Sequence, residues 1–148
     1  MTSETVARPV TVVDLEDVMA LYRALSATPD LPGEDVAVHY LDRILSHPGT
    51  TIWGAEADGR IAAMCTVHIL PNMTRGGRPY ALIENVVSHP ERRGEGLARV
   101  AMEAAIAAAW EAGCYKVMLL SGSVDGHGFY PRLGFDGDAK RGFVLRRP

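Results

Sequence analysis

The residues best able to do chemistry stand together at one junction. Arg92, Arg93, Gly94, Glu95 and Gly96 come directly before an alanine-rich run that can only be helix. The first turn of a helix leaves N–H groups without partners and carries the positive end of the helix dipole, so it favours an anion. Two glycines remove the side chains that would keep a diphosphate from those N–H groups, and the two arginines add positive charge at the rim. The junction therefore predicts a pyrophosphate site; the alternative is a solvated turn that needs glycine only for its bend. Two other phosphate loops do not fit. The Walker loop requires GxxxxGK[ST], and the dinucleotide fingerprint requires a third glycine where this chain has Arg99.

The elements around the junction follow from periodicity and turn chemistry. Residues 8–13 read as a strand, and Asp14 caps a helix in which Leu15, Val18, Met19, Tyr22 and Leu25 recur at helical spacing. A proline- and glycine-rich loop leads to a second helix over residues 34–45. Residues 50–70 carry a hairpin signal centred on Asp58-Gly59, a favoured pair for a two-residue turn. After a loop at 71–79, residues 81–87 form a mostly apolar strand of the buried kind, 94–113 a long helix ended by Gly113, and 115–122 a second buried strand. A short helix at 129–133 and a strand at 142–147 close the chain. Strand, helix and strand over residues 81–120 make a right-handed crossover, so these two strands are expected to be parallel and the hairpins antiparallel. The fold class is mixed α/β. On the long helix, Leu97, Ala101, Ala104, Ala105, Ala108 and Ala112 form a small-residue stripe for the sheet, leaving Met102, Ile106 and Trp110 outside it; that second apolar arc predicts a homodimer.

Composition narrows the function classes. The chain has 148 residues, nearly half of them apolar, which suits one domain spanning 1–148 with a real core. A net charge of −3, with no block of like charge, argues against nucleic acid as a partner. Cys65 and Cys114 lack any CxxC spacing, so neither a disulfide framework nor a metal site is expected. The N-terminus lacks an apolar signal core and no run reaches membrane-spanning length, which predicts a cytoplasmic protein with no membrane partner.

The segment Arg93-Gly94-Glu95-Gly96-Leu97-Ala98 matches the [Q/R]-x-x-G-x-[G/A] signature of the GNAT superfamily of acyl-CoA-dependent N-acyltransferases, and VVSHPERR before it resembles that family's strand and following loop. HGFYPRLGF, from His127 to Phe135, is similar to the family's FYxxxGF segment at the expected separation. The resemblance covers residues 50–135. It implies a mostly antiparallel mixed sheet, flanked by helices, in which two parallel central strands splay apart to admit the pantetheine arm of acetyl-CoA, the co-substrate. It also implies that the backbone of Arg93, Gly94, Glu95, Gly96, Leu97 and Ala98, with Arg92 at the rim, holds the pyrophosphate. Val86 and Val87, at a bulge, would pair with pantetheine and polarise the thioester carbonyl, with Phe129 and Tyr130 also near the cofactor. Where many members have an asparagine ahead of the tyrosine, this chain has Ser123.

Aminolysis of a thioester, through a tetrahedral intermediate, needs a deprotonated amine, a site for oxyanion charge and a proton for the departing thiolate. Alternation along the strand puts Glu84 on the face of Val86, where its carboxylate, or an ordered water, would remove the amine proton. Tyr130 suits the acid, since a phenol of pKa about 10 loses little in protonating a thiolate of pKa about 8.5. His89 and His127 flank the cofactor segments and read as turn or cap residues; His39, His47 and His68 show no chemical partner. The loops at 28–35 and 71–79 should border the acceptor, with Asn72, Arg75 and Arg78 able to bind an anionic group on it. The strand-to-helix segment is similar to the small-metabolite branch of the family, including glucosamine-phosphate acetyltransferases. The expected function is acetyl transfer to a primary amine of a small molecule such as an amino sugar. The alternatives are acetylation of a protein terminus or lysine, and a non-catalytic acyl-CoA-binding module.

Overall fold

The hairpin at Asp58-Gly59 forms as its residue types require: Asp58 (φ 53°) and Gly59 (φ 77°) both take the left-handed conformation of a two-residue turn whose twist matches its strands. The computed structural model describes residues 4–26, 30–122 and 126–148. In chain order these form β1 (Val6–Pro9), a 3-10 turn (Val12–Asp14), α1 (Leu15–Ala24), α2 (Glu34–Ser46), β2 (Thr50–Ala57), β3 (Arg60–Leu70) and a single turn, α3 (Thr74–Gly77). There follow β4 (Tyr80–Ser88), a second 3-10 turn (Pro90–Arg92), α4 (Leu97–Glu111), β5 (Val117–Leu119) and α5 (Gly126–Arg132). The chain divides into two compact units, one ending at Met118 and one running from Leu119 to Pro148. No helix among the described residues is long and apolar enough to cross a membrane.

The sheet order is β1-β2-β3-β4-β5, antiparallel from β1 to β4 and parallel between β4 and β5, as the crossover rule requires. The parallel pairing is seen where the Ala81 N–H donates to the Lys116 carbonyl at 3.0 Å. Helices cover both faces. On one, Val18 and Leu21 of α1 and Leu41 of α2 pack with Ile52, Ile61, Met64 and Val87 of the sheet. On the other lies α4, and the Cys65 thiol of β3 donates to its Ala101 carbonyl at 3.6 Å. Truncating Leu21, which is fully buried, would leave a cavity costing about 2–5 kcal/mol.

Carboxylates anchor α1 at two points. Arg8 of β1 donates from both terminal nitrogens to Asp14, at 2.8 Å each, and Asp14 also accepts the Thr11 N–H at 2.9 Å. Asp17 accepts from Arg60 Nε at 2.8 Å and from the Ile61 N–H at 3.0 Å. Asp14 holds the predicted N-cap position of α1, but its buried carboxylate serves Arg8 and Thr11 and makes no cap hydrogen bond to that helix.

Three expectations are corrected. The first strand is shorter and earlier than residues 8–13, because Thr11 and Asp14 organise residues 12–14 into a 3-10 turn. On α4 the buried residues are Leu97, Ala101, Met102, Ala105 and Ala109, so the inward face is rotated toward Met102, while Ala112 is exposed. Met102 fills sheet-facing space within its own chain and is no part of an uncovered arc; only Trp110 of the three is exposed. Finally, residues 142–147 form no strand, and Phe143, Val144 and Leu145 are exposed.

Candidate active site

Strand β4 is interrupted where the sequence reads Glu84-Asn85-Val86-Val87. Thr66 pairs with Glu84 and Met64 with Val87, so two residues of β4, Asn85 and Val86, stand opposite the single residue Cys65. This is a β-bulge, and Asn85 takes φ 54°, a left-handed conformation that asparagine tolerates better than most residues. The bulge resets alternation. Partners across a ladder share a face, and Thr66 and Met64 lie two apart on β3, so Glu84 and Val87 point to the same side and Val86 does not follow Glu84. The expectation that Glu84 shares a face with Val86 is therefore wrong. Glu84 belongs to the side covered by α1, where Val87 is buried in the core cluster with Met64, while Glu84 itself is exposed.

Beyond β4 the chain enters the glycine-rich junction. Pro90–Arg92 makes a 3-10 turn capped by His89, whose Nδ1 accepts the Glu91 N–H at 3.2 Å; His89 is thus a cap. Gly94 (φ 85°) and Gly96 (φ 78°) are both left-handed, and Gly96 is the N-cap of α4. A Cβ built on either glycine would meet no protein atom within 4 Å, so the space over the helix N-terminus is open. That open cradle fits a diphosphate approaching the free N–H groups of the first turn. The two arginines differ. Arg92 is held by Glu95, with Nε at 2.8 Å and a terminal nitrogen at 3.0 Å, and by Asp58 of the hairpin turn at 3.2 Å. Its charge is matched by two carboxylates, and it ties the junction to the β2–β3 turn. Arg93 is exposed and has no ion pair among the described residues, so its charge is free for an anion. Leu97 is buried beneath the first turn, and Ala98 is half-buried.

On the α1 and α2 side a cavity of about 690 Å³ opens beside the bulge. Its walls come from α1, α2 and residues 30–32, and Asn85 forms part of the lining. The phenol of Tyr22, at this wall, is pushed above its ordinary pKa by burial and so stays protonated at neutral pH. Asn85 carries a signal of its own in the sequence, since the polar pair Glu84-Asn85 interrupts an otherwise apolar strand and asparagine tolerates the left-handed conformation of a bulge.

Asn72 and Arg75 are placed elsewhere, neither lining this cavity. The Asn72 amide donates to the Thr74 carbonyl and hydroxyl at 3.2 and 2.8 Å, and the Arg75 guanidinium lies 5.3 Å from the Tyr115 ring centre. Two histidines without a visible partner in sequence have one in space: His47 Nδ1 and His68 Nδ1 each lie 2.9 Å from Thr50 Oγ1. Cys65 is buried, and burial pushes its thiol up to about 12, which keeps it un-ionised and unreactive.

In the second unit, Tyr130 sits half-buried on α5, edge-on to Phe129 at 5.1 Å and to Phe135 at 6.0 Å between ring centres. The Tyr130 carbonyl accepts the N–H groups of Leu133 and Phe135, at 3.0 and 3.2 Å, which closes the helix and fixes the aromatic group. Ser123 lies outside the described residues.

A bulged strand followed by a helix N-terminus with open space over its glycines is an arrangement able to admit a diphosphate-bearing acyl carrier. The acetyltransferase (GNAT) family matches residues 16–135, and the chain belongs to that family: it is an acetyl-CoA-dependent acetyltransferase. It is 34% identical over 122 residues to a glucosamine 6-phosphate N-acetyltransferase of Trypanosoma brucei brucei, covering 82% of each chain. Among solved structures it resembles a putative acetyltransferase from Agrobacterium tumefaciens, with TM-score 0.88 and 40% identity over 95% of this chain and 99% of that one. It also resembles an acetyltransferase of Trypanosoma brucei, with TM-score 0.84 and 29% identity over 97% and 100% of the two chains.

Proposed function

We propose that the protein, acting as one acetyltransferase domain over its length, transfers the acetyl group of acetyl-CoA to the primary amine of a small molecule. The observation that carries this reading is the cavity of about 690 Å³ beside the β4 bulge, a volume suited to a small molecule. The amino-sugar activity named for the Trypanosoma brucei brucei relative points the same way.

Acetyl-CoA supplies the acyl group as an activated thioester. In this reading the N–H groups at the start of α4, with Arg93, hold the diphosphate. The bulged backbone at Val86 and Val87 pairs with the pantetheine arm and polarises the carbonyl, and Phe129 borders the same arm. Glu84, directly or through water, accepts a proton from the attacking amine, and the Tyr130 hydroxyl gives one to the departing sulfur. The position of Glu84 on the α1 side, which the bulge produces, suits a base that meets an acceptor rather than the acyl carrier. A homodimer is proposed as the working state, supported now by the exposure of Phe143, Val144 and Leu145.

The test is incubation with acetyl-CoA and two panels, small primary amines and peptides with free N-termini or lysines, following thiol release and product mass. Acetylated small amines are expected. Turnover confined to peptides would replace this reading with protein acetylation, and binding of acetyl-CoA without turnover on any amine would leave only a binding module.

A further inference from the structure

We infer that the acceptor is an amine carried on an apolar body, aromatic or branched aliphatic, and not a phosphorylated sugar. The inference rests on the small-amine acetylation proposed above and names its substrate class. The cavity beside the bulge is walled by Met19, Leu31, Tyr40 and Ile44, among other apolar residues, and reaches Asn85, so it opens on the strand that is proposed to hold the acyl group. The one charged residue in the described lining is Asp30. A phosphate monoester, with charge of about −1.5 to −2 at neutral pH, would find no arginine or lysine in the described lining to replace its water, and would meet a carboxylate. A protonated amine meets the opposite situation. Asp30 raises its local concentration at the cavity, and an apolar body gains by leaving water for the aliphatic wall and the Tyr40 ring. The cationic side chains that sequence reading assigned to an anionic acceptor do not serve this space: Arg75 lies against Tyr115 and neither Arg75 nor Arg78 is in the lining.

The experiment compares phenethylamine and isoamylamine with glucosamine 6-phosphate, using the full chain, acetyl-CoA, thiol release and product mass. In parallel, the methyl signals of Met19, Leu31 and Ile44 are followed by NMR on adding each compound to the CoA-saturated protein. The expected result is kcat/KM for an apolar amine at least 100-fold above that for glucosamine 6-phosphate, methyl shifts with the apolar amines only, and a loss of about tenfold of that preference in Asp30→Lys. Asp30 is exposed, so this variant should fold normally. Preferred turnover of glucosamine 6-phosphate would overturn the inference and leave the small-amine reading standing. Methyl shifts with apolar amines but no acetylation of any amine would overturn the inference and, with it, the small-amine reading. Neither shifts nor turnover with apolar amines would overturn the inference.

Discussion

Tyr130 and Glu84 are each assigned one proton, and single atoms test them. Tyr130→Phe keeps the ring that packs edge-on between Phe129 and Phe135 but loses the hydroxyl, so turnover should fall while acetyl-CoA affinity stays within a few-fold. Glu84→Gln removes the proposed base at an exposed position without disturbing the core, and turnover should drop by roughly 10²- to 10⁴-fold. Steady-state rates beside calorimetric acetyl-CoA titrations check both; near-normal turnover of Glu84→Gln would transfer the role to water. Asp14 makes a different prediction, about stability. The Arg8 guanidinium, through its hydrogen bonds above all, holds the Asp14 carboxyl below its ordinary value. A depressed folded-state pKa stabilises the fold above the unfolded value, about 3.9, and this contribution is lost as pH falls through the folded value. Asp14→Asn should therefore cost about 1–3 kcal/mol at pH 7 and progressively less below about pH 4, measured by urea unfolding across that range. An equal loss at every pH would show that the ion pair contributes nothing.

At the scale of elements, the start of α4 is the proposed seat of the diphosphate and the bulge of β4 that of the pantetheine arm. Gly96→Val should abolish acetyl-CoA binding. A Cβ there meets no atom of the chain itself, so its effect on a folded protein falls on the space where the diphosphate is proposed to lie. The left-handed φ of 78° adds backbone strain, which Gly113→Val reproduces at the other end of the same helix, where φ is 85° and the space is equally open. Calorimetry on both variants separates the effects: loss in Gly96→Val with retention in Gly113→Val is expected, and equal affinities would remove the pyrophosphate assignment. The glycines and their turn were legible in sequence because a helix start beside RGEG has a local physical meaning. The facing of Glu84 was not, because alternation counts residues along one strand and the bulge inserts one that only the pairing with β3 exposes.

For the whole molecule, the apolar surface that suggested a dimer has moved. Met102 is buried by its own sheet, whereas Phe143, Val144 and Leu145 are exposed, Leu145 at 99%. Light scattering at micromolar concentration should give the mass of two chains, and a variant ending at residue 141 should give one. A single-chain mass for the intact protein would end the proposal. The family match from residue 16 to 135 runs through both compact units.

The sequence by itself determined the mixed α/β class, the Asp58-Gly59 hairpin, the long helix stopped at Gly113, the parallel crossover and the family, since each rests on local periodicity, turn chemistry or a contiguous motif. Only the tertiary structure decided the rest. The strand over residues 142–147 has a strand's pattern but no strand ladder, because pattern cannot supply a partner. Arg92 looked like a free cation until the fold brought Asp58 alongside Glu95. Met102 looked outward until packing rotated α4 to bury it. The cavity proposed for the acceptor joins residues from α1, α2 and β4 that lie far apart in sequence. Its shape and the absence of a cation from its described lining depend on how helices settle on a sheet, a long-range outcome that no local spacing records.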